Sequence, residues 1–178
     1  MSIVYKISAG IARLCFNTFA NYKVEGREAI PPGGPLIVVC NHLSNADPAV
    51  VAASLTRRSF FFGKKELFTK WWASIMLRSW GVYPLDRDGR DTGVLLRMLR
   101  LLHQDKVITM FPEGARSLNA QLKKASPGAA YIALKSQAPI LPIGIVGTEK
   151  IRGFWRVGAP FCSIKVHIGQ PFTLPSIE

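Results

Sequence analysis

Cysteine is scarce in these 178 residues: Cys15, Cys40 and Cys162 are odd in number and far apart. They make neither a disulfide framework nor a zinc-ligand spacing, and read as buried free thiols in a reducing compartment. Long apolar runs are missing too, since none reaches the ~18–20 residues that a membrane-spanning helix needs. The N-terminus has no signal-peptide cleavage pattern. Repeats, linkers and low-complexity tracts are absent, which points to one domain. Acidic residues are the most informative shortage: 11 Asp and Glu face 23 Lys and Arg, a net charge of +12. Beyond Glu113 the only carboxylate side chains are Glu149 and Glu178, against eight basic residues. Such a field selects an anionic partner, whether nucleic acid, anionic membrane or a phosphorylated ligand. A nucleic-acid binder should interleave basic residues with exposed aromatics and offer a recognition helix. That pattern is not found, and the helical stretches carry apolar stripes suited to packing.

What is present describes a folded protein. Apolar residues make up 48% of the chain and charged residues 19%, which argues against disorder. A chain of this length buries roughly 70% of its unfolded surface in one domain. Residues 3–19 read as a helix. Ile3, Ile7, Ile11, Leu14 and Cys15 form one apolar stripe, widened by Tyr5, Ala9, Ala12, Phe16 and Phe19. A helix this apolar, carrying only Lys6 and Arg13 as charges, either packs on the domain or lies in a bilayer interface. The expected division is an N-terminal amphipathic, membrane-associating helix over 1–21 and the main folded domain over 22–178.

Pro31-Pro32-Gly33-Gly34 is the one strong turn. After it the chain alternates between strand and helix periods. Residues 35–40 are a continuous apolar run, suited to a strand buried on both faces. Asp47 and Pro48 then open a helix, with the acid at the cap and Pro at the first helical position. Further strands are expected over 59–63, 81–85, 106–111 and 140–146, and helices over 66–79, 92–103 and 127–136. Residues 163–168 alternate and read as a late edge strand. This order predicts a single α/β domain with a largely parallel or mixed sheet flanked by helices, plus the N-terminal amphipathic helix.

In open α/β sheets, ligand groups gather past the carboxyl ends of strands. Polar clusters follow three predicted strands: Asn41, His42, Ser44, Asn45 and Asp47; Asp86 and Arg87; and Glu113, Gly114, Arg116 and Ser117. Four residues separate His42 from Asp47, so a tight turn folds the carboxylate back onto one imidazole nitrogen. That fixes the tautomer and frees the other nitrogen as a general base. With three His and five Asp in the chain, such a pair arises by chance at a rate of about 0.08, so alone it is only moderately specific. Arg87 and Arg116 suit bidentate phosphate capture; the bland reading of each is a solvated salt bridge. Gly114 lets a backbone approach a ligand, and Glu113 accepts from hydroxyls or orients Arg116. Lys64 and Lys65 follow another strand and add positive field, or are a plain solvated pair. His103 and His167 lack any such neighbourhood.

Taken together, four segments resemble the 1-acyl-sn-glycerol-3-phosphate acyltransferase family. They are His42 to Asp47, Gly81 to Arg87, the Phe-Pro-Glu-Gly-x-Arg-Ser block from Phe111 to Ser117, and the apolar Pro-bearing block from Ala138 to Ile143. Phe62-Gly63-Lys64-Lys65 is similar to the family's lysine-bearing segment, and the resemblance runs over about residues 22–172. Ala115 stands where the family often has Thr, and Pro127 where a Lys is frequent. The resemblance implies that His42, held by Asp47, deprotonates the free hydroxyl of a lysophosphatidate. That oxygen then attacks the thioester of acyl-CoA or acyl-carrier protein. It further implies that Arg87, Glu113, Gly114, Arg116 and Lys65 hold the phosphate and glycerol, and that no metal or cofactor takes part. The expected location is the cytoplasmic face of an anionic membrane, peripheral or monotopic. Three alternatives stay open at this stage. One is the same chemistry on another lysolipid or on glycerol 3-phosphate; the others are a non-catalytic basic module that binds membrane or nucleic acid.

Overall fold

The computed structural model describes residues 3–85, 92–117, 121–151 and 154–175. Helix α1 (Ile3–Phe19) leads into strand β1 (Asn21–Glu25) and then β2 (Leu36–Cys40). Helix α2 (Asp47–Ser54), strand β3 (Ser59–Lys64), helix α3 (Trp71–Ser79) and strand β4 (Val82–Leu85) follow. Helix α4 (Thr92–His103), strand β5 (Val107–Met110), helix α5 (Gly128–Ser136), β6 (Ile140–Val146) and β7 (Ser163–Ile168) complete the order. The strands form one seven-stranded sheet in the order β1-β7-β6-β2-β5-β3-β4. Every neighbouring pair is parallel except β6 and β7.

The connections explain the layers. From β2 the chain steps to β3 and β4 on one side, then returns through β5 to β6. Right-handed crossovers therefore put α2 and α3 on one face and α4 and α5 on the other. The two cores agree. Val50, Val51 and Ala53 of α2 pack with Val38, Cys40, Phe61 and Leu141. Val94, Met98, Leu102 and Ile132 pack with Ile37, Phe60 and Ile108. In the middle of the sheet, Leu36, Ile37 and Val38 are fully buried, each stabilising the fold by about 1.5–3 kcal/mol.

Helix α1 lies on the α2 face. Its inner side buries Tyr5 and Phe16. The Tyr5 hydroxyl accepts the Ser59 N–H at 3.1 Å, and the Arg58 guanidinium lies over the Tyr5 ring. Arg13 donates to the carbonyls of Ala53 (2.9 Å) and Leu55 (3.4 Å). It thereby satisfies acceptors at the end of α2 that the helix leaves unpaired. The outer side leaves Ile3, Ile7, Ile11 and Leu14 exposed by 72, 56, 56 and 67%.

Three expectations change. β1 was not expected; it is the sheet's edge, pairing β7 from Asn21 to Glu25. β7 is therefore interior rather than an edge, and its alternation reflects one packed face between β1 and β6. The helix expected over 66–79 is broken. A 3₁₀ turn spans Lys65–Phe68, and α3 begins only at Trp71.

Candidate active site

Main-chain pairing of β2 ends at Cys40, and the chain turns through residues 41–46 before α2 begins at Asp47. Asp47 does not cap that helix, as its sequence position suggested. Ala46 occupies the cap, and the Asp47 carboxylate folds back over the turn. One oxygen, Oδ2, accepts from the Leu43 N–H at 2.6 Å and the Ser44 N–H at 2.8 Å, and meets His42 Nδ1 at 2.8 Å. Two backbone donors thus fix the carboxylate, and the carboxylate fixes the imidazole. Asp47 is fully buried and the His42 side chain is 16% exposed. The pair is shielded on the Asp side and open on the His side, so positive charge formed on His42 during proton transfer is met by a partner that water does little to screen. With Nδ1 engaged, Nε2 is the nitrogen left to exchange a proton.

The ring is also clamped from its face. Phe111, at the end of β5, stacks on it with centroids 4.4 Å apart and planes 25° apart. The main chain of His42 is held as well: its N–H donates to Glu113 Oε1 at 3.1 Å, and its carbonyl accepts from the Ser117 N–H at 2.7 Å. Glu113 Oε2 accepts the Lys123 N–H at 3.2 Å. The Phe-Pro-Glu-Gly turn is thereby tied both to the base and to the segment before α5. Gly114 adopts φ +67°, the left-handed region open to glycine at little cost. Below the turn, burial pushes the Cys40 thiol well above its ordinary value of 9.0, with the charges of Asp47 and Glu113 adding to it.

Of the residues singled out in the sequence, His42, Asp47, Glu113 and Gly114 meet on two neighbouring strand ends, β2 and β5. Arg116 is exposed on the same turn. Lys65 is exposed at the end of β3, one strand beyond β5, so roughly 10 Å from β2 by strand spacing. Arg87 lies outside the described residues. Two contributors were not foreseen: Phe111 as the stacking partner, and Asn41 as a link to β6. The Phe immediately before Pro-Glu-Gly was the available signal for the first. Among the described residues no group of three or more His, Cys, Asp or Glu side chains could hold a metal ion.

Residues 21–146 match the sequence profile of the family described as Acyltransferase. The 1-acyl-sn-glycerol-3-phosphate acyltransferase of Bacillus subtilis is 25% identical over 170 residues, covering 94% of this chain and 82% of the relative. The human 1-acyl-sn-glycerol-3-phosphate acyltransferase alpha is 34% identical over 128 residues, or 68% of this chain, which span 44% of the human protein. Among solved structures, the 1-acyl-sn-glycerophosphate acyltransferase PlsC of Thermotoga maritima superposes with a TM-score of 0.78 at 23% identity. The match takes in 95% of this chain and 68% of that one. At that identity the superposition speaks for a shared fold.

Proposed function

The chain belongs to the acyltransferase family, and from that premise we propose that it moves a fatty acyl group from a thioester to the free hydroxyl of 1-acyl-glycerol 3-phosphate, giving phosphatidic acid. The observation that carries this reading is the 2.8 Å contact between His42 Nδ1 and the buried Asp47 carboxylate. His42 Nε2 takes the hydroxyl proton as the oxygen attacks the thioester carbonyl. Asp47 stabilises the imidazolium that forms. As the tetrahedral intermediate collapses, the carbon–sulfur bond breaks and His42 returns the proton to the thiolate. The donor is acyl-CoA or acyl-carrier protein. Arg116, Lys65 and Arg87 supply the positive field for the acceptor's phosphate. Glu113 and Gly114 line the approach of the glycerol, Glu113 through the lone pairs its two backbone donors leave free.

The acceptor is a membrane lipid, and the exposed stripe of α1 supports docking at a membrane surface. No helix among the described residues is long and apolar enough to cross a membrane; in this reading the segment 1–21, carrying the Ile3–Phe19 helix, docks at the interface beside a catalytic domain over 22–178. Ile3, Ile7, Ile11 and Leu14 are each more than half exposed, and entry of each into the acyl boundary is favourable by about 1–2 kcal/mol. The excess of basic residues adds attraction to an anionic cytoplasmic leaflet.

The test is an acyl-transfer assay of purified protein. Lysophosphatidate, other lysolipids and glycerol 3-phosphate are offered against acyl-CoA and acyl-carrier protein. Preference for lysophosphatidate is expected. Turnover of another acceptor with lysophosphatidate inert would reassign the substrate.

A further inference from the structure

Asn41 lies where β2 leaves the sheet, and its side chain does something its neighbours do not. The carboxamide pairs with both main-chain groups of one residue of β6. Its Oδ1 accepts the Ile145 N–H at 2.7 Å, and its Nδ2 donates to the Ile145 carbonyl at 2.9 Å. Register shows why this matters. Cys40 is opposite Ile143, and the Ile37 N–H donates to the Pro139 carbonyl. Main-chain groups alternate in direction along a strand. Pro139, Leu141, Ile143 and Ile145 therefore turn theirs toward β2. In a ladder that continued past Cys40, the Ile145 N–H would be met by main chain at position 41. Here it is met by the side chain of position 41 instead.

We propose that Asn41 is a positioning residue for the base. Its side chain stands in for the next rung to β6, so the β2–β6 ladder stops at position 41 and the chain leaves the sheet there. The His42 main-chain groups alternate to the other side, beyond the last β2–β5 pair at Met110, where the N–H donates to Glu113 and the carbonyl accepts from Ser117. These two contacts bring the imidazole over Phe111 and onto Asp47. Only a side chain with one acceptor and one donor in a planar fork can satisfy both Ile145 groups at once. Leu or Val leaves both unpaired, and Asp sets a carboxylate against the Ile145 carbonyl. Without the substitute rung, the end of β2 either frays or extends its ladder by one residue. Either change shifts the backbone at position 41, and with it the adjoining His42 amide off its contact with Glu113. A displacement of about 1 Å at a reacting group costs on the order of a hundredfold in rate.

The inference rests on the acyltransferase reading of His42, so its test needs one readout tied to catalysis and one that is not. The first is steady-state kinetics of Asn41→Ala and Asn41→Asp with lysophosphatidate and acyl-CoA. In Asn41→Ala, kcat should fall at least tenfold while both Michaelis constants stay within twofold. Asn41→Asp keeps an acceptor for the Ile145 N–H, and its kcat should be intermediate. A rise in the lysophosphatidate constant with kcat intact would make Asn41 a substrate ligand instead. An unchanged kcat in both variants would remove it from the machinery. The second readout is hydrogen exchange at the Ile145 and His42 amides. Both should exchange at least tenfold faster in Asn41→Ala, while Asp47→Asn leaves Ile145 protected. Equal Ile145 protection in Asn41→Ala and the parent protein would overturn the substitute rung, whatever the protein acylates. If Asn41→Ala does not fold, Asn41→Asp decides through kcat and exchange at the His42 amide: a lower kcat with faster His42 exchange supports the proposal, and parental values of both overturn it. An inert parent protein with the predicted exchange pattern would count against the acyltransferase reading alone.

Discussion

Replacing Asp47 by Asn separates the two roles that one carboxylate oxygen performs. Oδ2 accepts two backbone N–H bonds that shape the turn, and also makes the His42 contact that orients the base. Asparagine keeps an oxygen for the backbone donors, so the turn survives, but it brings no charge to stabilise the imidazolium. Two unit charges about 4 Å apart attract by ~4 kcal/mol at an effective dielectric constant of 20. Asp47 is fully buried, so solvent does little to reduce that figure. Each 1.36 kcal/mol is a factor of ten, which sets the expected loss of kcat in Asp47→Asn at roughly a thousandfold. The Michaelis constant for lysophosphatidate should hardly move. Asp47→Ala adds a structural penalty: the Leu43 and Ser44 N–H groups lose their acceptor, at ~1–3 kcal/mol each. In a domain of this size that is a Tm lower by about 4–24 °C. The assay is initial-rate kinetics beside thermal unfolding by circular dichroism. Asp47→Asn with more than a tenth of parental kcat would refute the charge argument. Asp47→Ala melting with the parent would refute the structural one.

Further outcomes follow from the same geometry. Ile7→Glu combined with Ile11→Glu should abolish sedimentation with anionic vesicles and leave Tm unchanged; undiminished sedimentation would detach α1 from membrane docking. Arg116→Ala should raise the Michaelis constant for lysophosphatidate at least fivefold with a smaller change in kcat, and an unchanged constant would remove Arg116 from the phosphate site. Arg13→Ala should lower stability by about 1 kcal/mol, a Tm drop of ~2–4 °C, through the uncapped end of α2; chemical denaturation measures it. The fold raises the Cys40 thiol well above 9.0. Its contribution to stability is therefore complete below about pH 9 and declines as the pH rises beyond it, when the unfolded thiol ionises and the folded one does not. Urea midpoints between pH 8 and 10 should fall more steeply for the parent than for Cys40→Ala.

Much of the fold could be read from period alone. α4 spans Thr92–His103 and β6 Ile140–Val146, the ranges expected, and α4 buries Val94, Met98, Leu101 and Leu102. The breaks came where local pattern is weak. β1 reads Asn-Tyr-Lys-Val-Glu, partly exposed at alternate positions, and it exists because β7 offers an edge to pair with, a partner no local window contains. The Trp-rich stretch from residue 66 has helical composition, yet the chain is first held in a 3₁₀ turn. At the site, the spacing of His42 and Asp47 announced the pair, because a short turn is a local matter. The backward fold of the Asp47 carboxylate onto His42 followed from that spacing; less legible were the cap, which is Ala46 rather than Asp47, and the Leu43 and Ser44 N–H groups that hold the carboxylate. Asn41 was hidden for another reason. Its partner Ile145 is 104 residues away, and only strand order brings them together.

The most direct test of the mechanism is a single-turnover acyl transfer by His42→Ala on vesicles containing lysophosphatidate, with vesicle binding and Tm measured on the same sample. Loss of at least three orders of magnitude in rate, with binding and Tm preserved, is the predicted result. Transfer at the parental rate by a folded, vesicle-bound His42→Ala would contradict His42 as the base.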